Sequence, residues 1–120
     1  IALDESLIEH GASAVLDADA ADALVLKPMA LGGPDVARGI ATRARRRGVD
    51  VLVSNAIDGA IARTAAVHLA ASLPDSLVSG LATAAMLERD VPPDPCPVVA
   101  GTVAVPQTPG LGIDEVTVDA

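Results

Sequence analysis

Apolar residues along this chain fall into short unbroken runs, separated by longer stretches in which they recur every third or fourth position. Ile1-Ala2-Leu3 is the first run and ends at Asp4-Glu5-Ser6. Ala23-Leu24-Val25-Leu26 is the second, closed by Lys27-Pro28, and Val49 to Val53, interrupted by Asp50, is the third, closed by Ser54-Asn55. Leu77-Val78-Ser79 makes a shorter fourth run before Gly80. Runs that do not alternate with polar residues are expected of parallel strands covered on both faces. Helical stretches lie between them: an Ala-rich one from Ala12 to Ala20, one opening at Pro34-Asp35, one over residues 58–72 and one over residues 82–89. Val36, Ile40 and Ala44 share the spacing of a single buried face, as do Ile57, Ile61, Ala65 and Leu69. Pro34 suits a first helical turn, Arg45, Arg46 and Arg47 complement the dipole of the last turn, and Gly48 stands where a terminating glycine belongs.

Four such repeats predict an α/β fold of about four parallel strand–helix units, since parallel strands need a crossover between them. After Val91 the alternation stops. Pro92, Pro93, Pro95 and Pro97 predict an extended linker, followed by β-like stretches from Val98 to Val105 and Gly112 to Val118. Residues 1–91 therefore read as one unit and residues 92–120 as a Pro-rich linker with a short β-rich tail. The unit is either an open doubly wound sheet or part of a (β/α) barrel. Leu31-Gly32-Gly33-Pro34 places glycines before a helix, but Pro34 removes a backbone donor that a phosphate loop would use. The barrel is favoured.

Half of the chain is apolar (51%), enough for a core, yet it contains no Phe, Tyr or Trp. A self-sufficient domain usually fills its centre with aromatics, so the chain is expected to be a piece of a larger protein. Its outer strands would then be open edges, able to pair with another copy. Sixteen acidic residues against eight basic ones give a net charge of −8, which excludes nucleic acid and anionic membranes as partners. The same balance suits work in concentrated salt, where self-repulsion is screened. Cys96 stands alone in the Pro-rich segment, which rules out an internal disulfide and points to a reducing cytoplasm. No apolar run approaches the ~20 residues that span a bilayer.

Candidate chemistry gathers at the strand ends. The first three runs end in Asp4, Lys27 and Ser54, and neighbouring strands lie ~4.8 Å apart, so the three side chains are expected to face one cavity. Lys27 is the only lysine in the chain. A buried lysine can lose its proton near neutral pH and act as base or acid, which arginine cannot. The competing reading is a strand-end lysine reaching for solvent. Asp4 suits a hard cation such as Mg²⁺, with further ligands coming from outside the chain; a loop acid or helix cap is its alternative. Glu5 would point away from Asp4 if the strand continued, leaving it a partner behind the ligand. Ser54 reads as a strand-end hydrogen bonder. His10 falls in a loop and His68 in mid-helix, so neither stands where it could activate Ser54.

At these residues the pattern resembles the enolase superfamily. Ile1-Ala2-Leu3-Asp4-Glu5-Ser6 and Ala23-Leu24-Val25-Leu26-Lys27-Pro28, with Leu31-Gly32-Gly33 following, resemble the second half of its barrel, in the muconate-lactonising subgroup. Val51-Leu52-Val53-Ser54-Asn55-Ala56-Ile57-Asp58 is similar to that subgroup's seventh strand and turn. Gly80-Leu81-Ala82-Thr83-Ala84-Ala85-Met86-Leu87 is similar to the eighth-strand segment of o-succinylbenzoate synthases. Gly101 to Ile113 resembles the tail that returns toward a capping domain. The resemblance implies that residues 1–91 are the C-terminal half of the barrel. Asp4 would be a carboxylate ligand of Mg²⁺, and Lys27 would stabilise an enolate-like intermediate while a lysine on a missing strand moves the proton. Ser54, Ile57 and Gly80 would line the pocket for a small carboxylate substrate. The implied reaction dehydrates a cyclohexadiene hydroxy acid to o-succinylbenzoate, a step of menaquinone synthesis. Without its N-terminal half the chain is expected to be inactive. Residues 76–83 contain no acid, which disfavours dipeptide epimerases and muconate cycloisomerases; N-succinylamino acid racemase remains an alternative. From another class, a non-catalytic α/β association module would use Asp4 and Lys27 merely as an ion pair.

Overall fold

The structure, a computed structural model, describes residues 1–90 and 92–113. Three parallel strands form the sheet, β1 (Ala2–Leu3), β2 (Ala23–Leu26) and β3 (Asp50–Val53), in the order β1-β2-β3. Leu24, Leu26, Val51 and Val53 are almost wholly buried on the face covered by helices. Alternation along the strands turns Val25 and Leu52 to the other face, where they are only half-buried. Strands 2 and 3 thus have the predicted apolar runs, but the chain covers one face of them more completely than the other.

The connecting helices are α1 (Glu5–Asp17), the single turn α2 (Pro28–Leu31), α3 (Pro34–Arg45) and α4 (Ala60–Ser72). The first differs from the expected span of residues 12–20. It begins directly after β1 and is interrupted at Gly11 (φ 77°), which resets the helical phase and hides the common apolar face that includes Leu7, Val15 and Leu16. The turn α2 was not expected; Gly32 ends it with a positive φ of 102°.

Buried faces of α3 and α4 also differ from the expected ones. On α3 the inward stripe is Ala37, Ile40, Ala41 and Ala44, while Val36 is exposed. On α4 it is Ala60, Arg63, Thr64, Ala66, Val67 and Leu69, while Ile57 and Ile61 are exposed. Small residues let each helix approach the sheet closely, so alanine defines the buried stripe and the larger Val36 and Ile61 fall outside it. The end of α3 follows expectation. Val49 N–H donates to Ala44 O and Gly48 N–H to Arg45 O, the two bonds of a Schellman motif, with Gly48 at φ 73°. Gly48→Ala forces a side chain into the left-handed region and is expected to cost ~1–2 kcal/mol. Denaturant unfolding checks this; an unchanged midpoint would remove the motif from the stability of α3.

The fourth expected strand is not regular. Leu77 N–H donates to Val51 O and Gly80 N–H to Val53 O, so the segment runs alongside β3. Three steps on one side match two on the other, and the extra residue bulges the segment out of register. Only Ser54 and Gly80 form a ladder pair. The expected helix over residues 82–89 is reduced to a 3₁₀ turn, Ala84–Met86. Thr83 is held by Asn55 and bonds Ala56 O at 3.4 Å, which keeps the chain at the sheet rim.

The Pro-rich segment after residue 91 is held against α4. Arg63, wholly buried in α4, pairs with Asp94 and donates from Nη1 to Cys96 O at 3.1 Å. Thr64 Oγ1 lies 3.3 Å from Cys96 Sγ, and Cys96 N–H donates to Asp94 Oδ1 at 2.9 Å. Beyond this clasp, β4 (Val98–Val99) and β5 (Thr102–Val103) form an antiparallel hairpin. Ala100 (φ 48°) and Gly101 (φ 77°) supply the two left-handed residues of its tight turn. Val103 and Val105 pack against the core. Most of the stretch expected from Gly112 to Val118 lies outside the described residues.

Candidate active site

Parallel pairing sets the rim. Ala2 is opposite Ala23 and Leu3 opposite Leu24, while Leu26 is opposite Val53. Asp4 therefore leaves the end of β1, Lys27 the end of β2 and Ser54 the end of β3, all at the same edge of the sheet. By alternation they lie on the half-open face, with Val25 and Leu52 behind them.

Lys27 Nζ stands 2.7 Å from Asp4 Oδ2 and 3.5 Å from Glu5 Oε1. The lysine side chain is 19% exposed and that of Asp4 29%, so the pair is largely shielded, whereas Glu5 is 83% exposed. The condition under which Glu5 would point away from Asp4, a strand that continues, is not met. The strand does not continue past Asp4; Glu5 opens α1, and the change of direction brings its carboxylate to the lysine.

The hydrogen bond from Lys27 to Asp4 raises the lysine pKa above its ordinary value against the opposing effect of burial, and the charges of Asp4 and Glu5 add to the rise. A group whose pKa is raised by folding contributes stability that is full below its unfolded value. That stability disappears only as pH climbs through the folded value. Lys27 is thus held as an ammonium across neutral pH. The hydrogen bond and charges of the two carboxylates outweigh desolvation. Glu5 is shifted the other way, its carboxyl lowered first by its own backbone N–H at the start of α1 and then by the Lys27 charge.

Asp4 Oδ1 is buried and has no hydrogen-bond partner among the described residues. An unsatisfied buried carboxylate oxygen is costly and suits a cation. No cluster of three or more His, Cys, Asp or Glu suited to a metal occurs among the described residues. The donor set here therefore fits one carboxylate ligand of a hard divalent ion, and not a complete site.

Ser54 Oγ donates to Gly80 O at 3.1 Å, and a Cβ on Gly80 would lie 3.0 Å from that hydroxyl. Glycine at position 80 is what allows the two segments to approach. Ile57, in the loop before α4, is 61% exposed and joins none of the described polar contacts of this rim. Sequence reasoning missed Asn55, which is buried and donates from Nδ2 to Thr83 Oγ1, tying the loop after β3 to the 3₁₀ turn. A polar residue directly after an apolar strand was the available signal. Of the two histidines, His10 lies in α1 rather than in a loop, and His68 lies within α4 as expected.

The site and sheet find their counterparts in known proteins. An Enolase C-terminal domain-like family model matches residues 1–116. An o-succinylbenzoate synthase of Thermobifida fusca is 40% identical over 107 residues, covering 88% of this chain and 33% of that protein. One of Mycobacterium tuberculosis is 40% identical over 110 residues, covering 90% and 32%. The chain thus spans about a third of the length of the curated relatives it matches. Among solved structures, the L-Ala-D/L-Glu epimerase from Bacillus subtilis superposes with a TM-score of 0.87 at 32% identity, over 98% of this chain and 33% of that one. A muconate lactonizing enzyme from Pseudomonas putida does so with a TM-score of 0.84 at 26% identity, over 93% and 32%. Parallel strands alternating with helices, a small antiparallel sheet and these matches lead to one conclusion: the chain belongs to the Enolase C-terminal domain-like family of the enolase superfamily.

Proposed function

We propose that this chain carries the Asp4–Lys27 rim of a Mg²⁺-dependent o-succinylbenzoate synthase. The observation that carries the reading is the lone lysine, 2.7 Å from one oxygen of an aspartate whose other oxygen is buried and unpartnered. The sequence relatives at 40% identity support this activity over others of the superfamily.

Asp4 would hold the cation through Oδ1, with Glu5 behind it near Lys27. A divalent ion supplies concentrated positive charge for a substrate carboxylate in a site that excludes water. Lys27, already an ammonium, would set a second positive charge against the negative charge that develops when the carbon beside that carboxylate loses its proton. The proton acceptor and the remaining ligands would come from the rest of a barrel outside this chain. Loss of the proton and of a hydroxyl, as water, converts the cyclohexadiene ring to the aromatic ring of o-succinylbenzoate. Ser54, Gly80 and Ile57 would bound the pocket for the small carboxylate substrate. The setting would be menaquinone synthesis in the cytoplasm, and the catalytic partner of residues 1–91 the N-terminal half of the same protein. Residues 92–120 would lead back to a capping domain. No described helix is long and apolar enough to cross a membrane.

Asp4→Asn keeps the shape of the side chain and removes its charge. Calorimetric titration of the intact protein with Mg²⁺ should then lose at least the ~10–100-fold affinity that even outer-shell changes cost at metal sites. Dehydration should fall with it. Unchanged Mg²⁺ affinity would remove Asp4 from the ligand set and favour the association-module reading.

A further inference from the structure

Where helices α3 and α4 end, at the sheet edge opposite Asp4 and Lys27, a second polar site is built. Arg38, Thr42 and Arg45 follow one another along α3 at helical spacing, and Arg46 comes directly after its last residue. With Ser72 and Leu73 at the end of α4 they line a cavity of about 510 Å³. Arg43 donates to Ser13, Arg47 pairs with Asp17 and Arg63 pairs with Asp94. Arg38, Arg45, Arg46 and Arg89 make no side-chain hydrogen bond or ion pair among the described residues, and the first three line the same cavity.

At the end of α3 the carbonyls of Thr42, Ala44 and Arg45 accept from backbone N–H groups, and at the end of α4 Leu69 O and Ala70 O accept from Ser72 Oγ and Leu73 N–H, so none of these carbonyls needs a guanidinium as a cap. Guanidinium groups are planar forks that match phosphate oxygens two at a time and give up hydration more readily than an ammonium. The surrounding charge of −8 opposes an extended polyanion such as nucleic acid, but a compact anion inside the cavity meets the arginines first.

We propose that this cavity binds a small, multiply charged phosphate compound, with Arg38 and Arg46 as its principal contacts. The test is calorimetric titration of the intact protein, free of divalent metal, with pyrophosphate, orthophosphate and a short RNA in separate arms. Saturable one-to-one binding is expected for pyrophosphate, weaker binding for orthophosphate and none at this cavity for RNA. Arg38→Ala and Arg46→Ala should each weaken pyrophosphate by about tenfold or more, as expected for a lost charge-assisted fork. Arg47→Ala, which removes the same charge outside the cavity, should change it by less than about twofold. Arg38→Lys and Arg46→Lys keep the charge and lose the fork, so they should fall between; they also serve if an alanine variant fails to fold. Absence of saturable pyrophosphate binding overturns the proposal. So does an equal loss in Arg47→Ala, or RNA that outcompetes pyrophosphate.

Discussion

Lys27→Ala in the intact protein is expected to lower kcat for dehydration by ~10²–10³-fold, the usual consequence of deleting one preorganised charge aimed at a developing anion. The size of the effect follows from how the lysine is held. It is 2.7 Å from Asp4, mostly shielded from water, and kept protonated by two carboxylates, so its charge is in place before substrate arrives. Lys27 and the cation also share Asp4: the lysine engages Oδ2 and leaves Oδ1 free. Removing the lysine takes away a cation that competes for the Asp4 carboxylate, so Mg²⁺ affinity should hold or rise while turnover is lost. Asp4→Asn should lose both. This contrast separates a lysine that acts on the substrate from one that only orders the ligand. Lys27→Arg keeps a positive charge but spreads it over a larger planar group, and should restore little activity. Steady-state kinetics beside Mg²⁺ titration provide the check, with circular dichroism confirming that each variant is folded. Wild-type turnover in Lys27→Ala would end the proposed role.

Arg63→Ala should be the most destabilising single change, at about 3–5 kcal/mol, because it strips the counter-charge from a shielded carboxylate. Asp94 would lose its cation, and Cys96 O would lose its guanidinium donors. The space left by the side chain would open beneath Cys96 and Thr64. Arg63→Lys should recover only part of the loss, since one ammonium cannot reproduce contacts made from both Nη1 and Nη2. Denaturant unfolding measures the loss, and amide exchange at Cys96 reports whether the Pro-rich segment detaches first. A loss below about 1 kcal/mol would place the attachment of that segment elsewhere, in the packing of Val103 and Val105 against the core.

The rim was more legible than the packing. Ala23–Leu26 has the expected boundaries because a continuous apolar run between polar residues is a local signal, and the next strand starts one residue later than its apolar run. Gly48 could be read because a left-handed helix end selects glycine by backbone sterics alone. The adjacency of Asp4 and Lys27 followed from counting, since consecutive parallel strands must present their C-terminal ends at one edge. Helix faces were harder to assign. Val36, Ile57 and Ile61 have the right spacing and the wrong side, because alanine carries the buried stripe and alanine is too common here to mark a face. Nothing near residue 63 marks an arginine for burial; its partners lie about thirty residues further on.

Sequence alone determined the order and direction of the strands, the helix end at Gly48 and the edge at which an acid and a lysine meet. These depend on backbone sterics, apolar runs and chain direction, all of which act over a few residues. Tertiary structure alone decided that Lys27 keeps its proton, that the segment before Gly80 bulges, that Arg63 is buried and that three arginines share a cavity. The first and third of those outcomes are balances between desolvation and a partner brought from a distant segment, and the other two depend on which segments pack side by side; both kinds are fixed only when the chain has folded.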